Sequence, residues 1–285
     1  MRLLQRETNG EFKLVEFFGK RPPPYAILSH TWGADDEEVT LRDILNDKMK
    51  RKSGYKKIRF CAEQAKKDGL QFFWVDSCCI DKSSSAELTE AINSMFDWYH
   101  KAAKCYAYLS DVPNYRWIWK QKFKKSRWFT RSWTLQELLA PESVDFFSKG
   151  WKRLGNRNTL LEEIRNITGI PVQALQGTPL SRFTIKERMS WAEKREAKRE
   201  EDKAYSLLGI FNVHIPLIYG EGRENAFARL RKEIEQYPGT SFNNSTSFSS
   251  YDCSRQFNSL SGTQMNNTGS GNQFFGSYMG PVHFG

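Results

Sequence analysis

The chain predicts an α/β fold, a parallel sheet flanked by helices on both faces, with a helical extension at its end. Three observations carry this reading. Strand-like runs and helical periods alternate from Tyr25 to Phe147. The strand runs are almost continuously apolar, as they are when helices cover both faces of a sheet. Each run also ends in polar residues, Ser29-His30, Asp76 or Ser110-Asp111, and open α/β sheets bind ligands at the carboxyl ends of their strands.

Taken in order, Met1–Phe18 is a weak strand or lead-in, and Pro22-Pro23-Pro24 enforces an extended entry. Tyr25–Ser29 is the first convincing strand and runs into His30-Thr31-Trp32-Gly33 and the acidic loop Asp35–Glu38. Tyr55–Lys67 places Ile58, Cys61, Ala62 and Ala65 at helical spacing, and Asp68-Gly69 ends it. Phe72–Val75 is a buried strand closed by Asp76. Ser83–Ser85 caps the next helix, with Glu87 in its first turn. Its stripe of Leu88, Ile92, Met95, Trp98, Tyr99 and Ala102 belongs in a core. Cys105–Leu109 is a third strand.

Ser132–Ala140 reads as a short helix stopped by Pro141, and Val144–Phe147 as a buried strand. At the helical period Leu135, Leu138 and Leu139 share one side, while Trp133, Gln136, Glu137 and Ala140 share the other. That places a carboxylate on a rigid element one turn from an indole, a site suited to a cationic or ring-bearing substrate. The same pattern also fits a helix with one solvated Glu and a half-buried Trp. His30 likewise fits a catalytic role or a strand-end His bonded to backbone. Leu160–Ile167 is a further amphipathic helix, and Thr168–Pro179 a loop.

From Ile185 the pattern is helical. Glu187–Arg199 is highly charged and reads as a solvated or interface helix; Asp202–Phe211 and Glu224–Glu235 follow. Residues 1–235 thus make one domain, with an α/β core over about 20–170 and a helical part over about 180–235. Arg188 and Asp202 are expected to pair there.

The last stretch, 236–285, is different. It holds 10 Ser, 7 Gly and 6 Asn and has only Asp252 and Arg255 as charges, so the net charge of +10 sits wholly on residues 1–235. Such a composition predicts a disordered monomer segment prone to β stacking. Ser261-Gly262-Thr263-Gln264-Met265 recurs nine residues later as Ser270-Gly271-Asn272-Gln273-Phe274. Two such rungs could stack with Gln in register; the alternative is an unstructured tail.

The basic surface fits an anionic partner. No recognition helix, zinc finger or RNA-binding aromatic signature is present, so no nucleic acid is expected. No run approaches the roughly 18 apolar residues of a membrane span, and no membrane partner is expected. Five Cys without regular spacing, and a polar Met1–Asn9, fit a reducing, cytoplasmic setting. Four scattered His and the Cys78-Cys79 pair give no metal spacing.

Several stretches coincide with one family. Ala26–Gly33, Trp74–Lys82, Arg131–Leu138, Arg188–Ala192, Glu201–Phe211 and Leu217–Gly222 resemble the fungal heterokaryon-incompatibility (HET) domain. The resemblance implies a cytosolic effector that causes cell death when non-self is sensed. The HET domain is itself similar to TIR domains, which implies a flavodoxin/TIR-like sheet. TIR domains carry a catalytic Glu in a Ser-x-Trp-Cys-x-x-Glu-Leu helix, which Ser132–Leu138 matches with Thr134 in place of Cys and Ser132 abutting the Trp. The insertion Pro113–Lys125 has no TIR equivalent. The tail resembles the prion-forming motifs of fungal NLR-controlled effectors, most nearly the sigma type, through Gly262-Thr263-Gln264, Asn266-Asn267-Thr268-Gly269-Ser270-Gly271-Asn272-Gln273 and the closing Gly280-Pro281-Val282-His283-Phe284-Gly285, so the amyloid motif is expected over Gly262 to Phe274. That implies an NLR-type receptor with a matching amyloid motif and a homo-oligomer or fibril formed through the tail.

Enzymatic TIR domains cleave the nicotinamide–ribose bond of NAD, which here would be a substrate, with no cofactor. The resemblance makes Glu137 the catalytic anion, since a carboxylate stabilises an oxocarbenium-like ribose. Trp133 would border the nicotinamide or ribose. Ser29, His30, Trp32 and Gly33 would line the same crevice, Arg131 or Lys82 would meet the pyrophosphate, and Asp76 and Asp81 would orient those basic groups. Two other classes fit these residues: a non-enzymatic signalling module that recruits a death partner, and a nucleotide-binding regulator or nuclease-like enzyme.

Overall fold

A seven-stranded sheet forms the centre of the computed structural model, which describes residues 1–236 except Gly19 and Arg116. The expected tail motif, Gly262 to Phe274, lies outside the described residues. The strands are β1 (Arg2–Arg6), β2 (Phe12–Glu16), β3 (Tyr25–His30), β4 (Phe72–Trp74), β5 (Lys104–Tyr108), β6 (Val144–Phe147) and β7 (Arg153–Asn156). They lie in the order β2-β1-β4-β3-β5-β6-β7.

The four strands read from apolar runs, β3 to β6, are all parallel. The chain lays down β3, steps outward to β4, crosses back to β5 and continues to β6. Such a sheet has its switch point between β3 and β5, where loops diverge and open a crevice. The order matches the first four strands of a flavodoxin-like sheet. Antiparallel β7 stands where a fifth parallel strand would follow.

Two edges differ from the sequence reading. The lead-in is a hairpin, β1 on β2, with β1 also antiparallel to β4 through Leu4 opposite Phe73. On the far side β7 turns back on β6. Edge strands carry polar residues on their open sides, so their apolar signal is weak.

Alternation along the strands sorts the side chains onto two faces. Tyr106 and Phe147 meet Phe60 on the Tyr55–Lys67 helix, at ring separations of 6.4 and 4.9 Å. Their neighbours point oppositely: Phe146 packs edge-on against Phe123 and Trp128 at 5.4 and 5.5 Å. On that second face Trp74 meets Tyr99 of the Ser85–Lys101 helix at 5.9 Å. The expected signals hold locally. Ser84 Oγ accepts the Glu87 amide at 3.3 Å. Gly69, at φ 75°, reverses the chain after the Tyr55–Lys67 helix, and the Leu70 amide reaches back to the Ala65 carbonyl at 2.8 Å.

The helical part starts with Ile185–Ser190, where Thr184 and Glu187 form a capping box. It does not continue to Arg199 as its charge pattern suggested. The chain leaves the helix at Trp191 because Arg195 turns inward, and Glu196 bridges to Arg131. The expected Arg188–Asp202 pair does not form either. Arg188 donates to the Ile210 carbonyl at 3.1 Å and lies 4.5 Å over the Phe211 ring, while Asp202 accepts the Tyr219 hydroxyl at 3.0 Å.

The motifs Glu201–Phe211 and Leu217–Gly222 have a structural explanation. Glu201 accepts the amides of Gly220 and Gly222 at 2.8 and 3.2 Å. The Tyr205 hydroxyl donates to Glu221 at 2.6 Å and accepts the Ile218 amide at 2.9 Å. The two motifs clasp each other, and Leu208–Phe211 then lies on the Ser85–Lys101 helix. Gly209 permits that approach, since a Cβ there would sit 2.1 Å from Phe96 Cβ. Gly209→Ala is therefore expected to destabilise the domain by roughly 1–3 kcal/mol through overpacking. Urea unfolding checks it; an unchanged midpoint would show that the extension does not rest on this contact.

Candidate functional site

The site grows from the end of β3. Ser29 lies on the face that carries Tyr25 and Ile27, under the Ser85–Lys101 and Thr134–Leu139 helices. Its hydroxyl donates to Glu137 Oε2 and accepts the indole N–H of Trp128 at 2.8 Å. Tyr99 closes one side, its hydroxyl donating to the Leu28 carbonyl at 3.0 Å. Every residue from Thr134 to Leu139 is buried, so Glu137 is not on a solvated face; only 6% of it is exposed.

The helix that holds Glu137 is fastened at both ends. Thr134 Oγ1 donates to the Trp128 carbonyl and receives Arg195 Nη1 at 3.0 Å. Arg195 Nη1 also reaches the Arg131 carbonyl at 2.9 Å. At the other end Arg157 donates to the carbonyls of Leu138 and Glu142 at 2.8 and 3.0 Å, satisfying acceptors that a helix end leaves open. Burial raises the Glu137 carboxyl from an ordinary 4.5 to about 8, reinforced by Asp76 and opposed by Ser29, Tyr99 and Arg195. Burial lowers Arg195 to about 10, so it stays a cation at neutral pH. Arg195 Nη2 has no hydrogen-bond partner among the described residues.

His30 sits on the opposite face of β3. It lies between Glu38 and Asp76, with Nε2 3.7 Å from Glu38 Oε2 and Nδ1 3.7 Å from Asp76 Oδ1. Neither ring nitrogen has a hydrogen-bond partner among the described residues. Glu38 turns inward from the acidic loop, accepts the Gly33 amide at 2.7 Å and pairs with Lys57. Burial works against its charge, yet His30 and Lys57 hold its carboxyl well below the usual range. Asp76 accepts the Trp32 indole N–H at 2.8 Å, and the Lys82 ammonium lies 3.4 Å from the centre of the Trp32 ring.

So the expected residues form two clusters rather than one crevice. Ser29 and Glu137 meet on one face; His30, Gly33 and Glu38 gather on the other; Asp76, Trp32 and Lys82 lie at the rim. Asp76 is the link, since its charge is felt by Glu137 while its Oδ1 faces His30. Arg131 contributes its carbonyl. Trp133 is half-buried against the core and helps to hold the Asp202 carboxyl in its charged form. The sequence reading missed Glu38, Tyr99, Trp128 and Arg195. Only Arg195 had a signal: it lies in a charged run whose helical pattern has almost no apolar stripe.

Surface hollows lie elsewhere, one beside Arg165 and Ile170–Gln173, another among Met1, Arg2, Glu87 and Trp98. Among the described residues no cluster of His, Cys, Asp and Glu could hold a metal.

The heterokaryon incompatibility (HET) family profile matches residues 25–116, the stretch from β3 through β5 that builds the switch point. The chain carries a HET domain. A second profile, described as the sigma domain on NACHT-NTPases, matches residues 239–285. The chain is 56% identical over 246 residues to "Vegetative incompatibility protein HET-E-1" of Podospora anserina, covering 84% of this chain and 18% of that protein. It therefore spans less than a fifth of the curated relative that it matches. No solved structure matches.

The buried acid gives the HET domain a pH signature. The unfolded chain releases the Glu137 proton above about pH 4.5, while the folded chain keeps it until about pH 8. The folded state binds more protons across that window, so this group's contribution to stability falls as pH rises through it. Glu137→Gln keeps the shape without the titration. Its melting temperature is expected to gain on wild type between pH 5 and 8.5, as followed by circular dichroism. A constant difference across that range would contradict the raised pKa.

Proposed function

We propose that this chain is a cell-death effector of heterokaryon incompatibility whose HET domain is silent as a monomer and cleaves NAD once assembled. Its trigger is an NLR-type receptor with a matching sigma segment, which templates amyloid in the tail over 239–285. The observation that carries the reading is Glu137: a sealed carboxyl with a strongly raised pKa at the switch point of a parallel sheet, where ligands bind. The profile and HET-E-1 similarities support the incompatibility context, and the TIR likeness of Ser132–Leu138 supports the choice of NAD.

Closure accounts for silence in physical terms. A protonated carboxyl does not stabilise a positive ribose. Opening the cover formed by Trp128 and Ser29 admits water, removes the desolvation that raised the pKa, and restores the anion. The carboxylate then faces the ribose as the C1′–N bond breaks. The bonding pair leaves with neutral nicotinamide, so no acid is needed, and water attacks C1′ and loses its proton. Tail assembly raises the local concentration of HET domains, and contacts between neighbours supply the work of opening.

A second reading is favoured by the same burial. A sealed acid bonded to Ser29 also suits a non-enzymatic module that exposes a new surface on assembly and recruits a death partner.

Two variants, set beside forced oligomers of the unaltered chain, test these readings. Forced oligomers of the full chain should release nicotinamide from NAD, and Glu137→Gln should abolish both this release and cell killing while tail fibres still form. Killing by Glu137→Gln at the wild-type level would leave the recruiting module. Gln264→Lys with Gln273→Lys puts like charges into both repeats; fibres and killing are expected to disappear together. Unimpaired fibres would overturn the stacked-repeat account of the tail.

A further inference from the structure

One surface segment plays no part in the site. Residues 113–127 connect β5 to the turn that carries Trp128. They contain Arg116, Lys120, Lys122, Lys124, Lys125 and Arg127 and no acid, which equals more than half of the chain's net +10. The same segment holds three of the large apolar side chains left most open to water, Tyr115 at 71%, Trp117 at 90% and Ile118 at 43% exposed.

The fold holds this tip outward. Phe123 of the Trp119–Lys124 helix is fully buried and packs on Phe129 and Phe146 at 5.0 and 5.4 Å. Trp119 leans on Phe123 at 6.2 Å. The amides of Ile118 and Trp119 bond the Tyr115 carbonyl at 3.2 and 3.1 Å, which shapes the turn. Nearby acids are occupied: Glu163 pairs with Lys120 at 3.3 Å, and Asp111 accepts Ser126 Oγ and the Arg127 amide at 2.7 and 2.8 Å. Among the described residues Lys122, Lys124 and Lys125 make no ion pair and are exposed.

We propose that residues 113–127 dock the protein on the anionic face of a lipid bilayer. Tyr and Trp favour the headgroup layer, where one end of the ring is wet and the other apolar. Ile118 gains by entering the acyl boundary, and the lysines snorkel to anionic headgroups. Nucleic acid would reward the charges but not an aliphatic tip, whereas an anionic bilayer rewards both at once. The sequence reading expected no membrane partner because no run is long enough to span, and among the described residues no helix is long and apolar enough to cross a membrane. A segment that lies on the surface needs no such length. This inference is independent of the proposed chemistry.

The test is flotation of the full chain with vesicles of phosphatidylcholine alone or mixed with phosphatidylserine. Binding is expected only to the anionic vesicles and should weaken with salt. Lys122→Gln with Lys124→Gln should weaken it by roughly fivefold per charge. Tyr115→Ser with Ile118→Ser should also weaken it, although the charge is unchanged. Circular dichroism of each variant confirms the fold. Equal binding to neutral vesicles, variants that bind like wild type, or binding of an oligonucleotide but no vesicle through these residues would each overturn the proposal.

Discussion

A carboxyl group taken out of water at the end of a strand constrains everything around it. Glu137 is held by the Ser29 hydroxyl, which is itself held by the Trp128 indole. Burial of an acid costs several kcal/mol unless the group is neutral or paired. Here protonation, two hydroxyls and a nearby arginine share that cost. The arrangement is stable only if the strand, the short helix and the Trp128 turn keep their relative positions. The fastening of the helix by Arg195 and Arg157 follows from that need.

The helical part is thereby drawn into the site. Arg195 belongs to the stretch after Ile185–Ser190, yet it spends its donors on Thr134, on the Arg131 carbonyl and on the Trp191 carbonyl. Glu196 adds a backbone bridge to Arg131. The clasp between Glu201–Tyr205 and Ile218–Gly222 fixes the rest of this part against itself.

Period two in β3 explains why one expected crevice became two clusters. Adjacent residues of a strand cannot share a face. Ser29 points to Glu137, and His30 points to Glu38 and the Tyr55–Lys67 helix, whose Lys57 completes that cluster. The end of β4 reconnects them through Asp76, because the chain turns there and the alternation stops.

The residues alone determined what depends on near neighbours. The four parallel strands, the Ser84 cap and the Gly69 reversal all follow from local periodicity, capping and turn chemistry, and they were legible. The edge strands were not, because their polar open sides blur the pattern. The tertiary structure decided what depends on distant partners. Ser29 meets Glu137 across 108 positions, and Arg195 meets Thr134 across 61. No periodicity reports which face of a short helix is covered when both sides are packed. A glutamate beside an indole reads the same whether water or protein surrounds it; burial, and with it the held proton, is a property of the assembled fold.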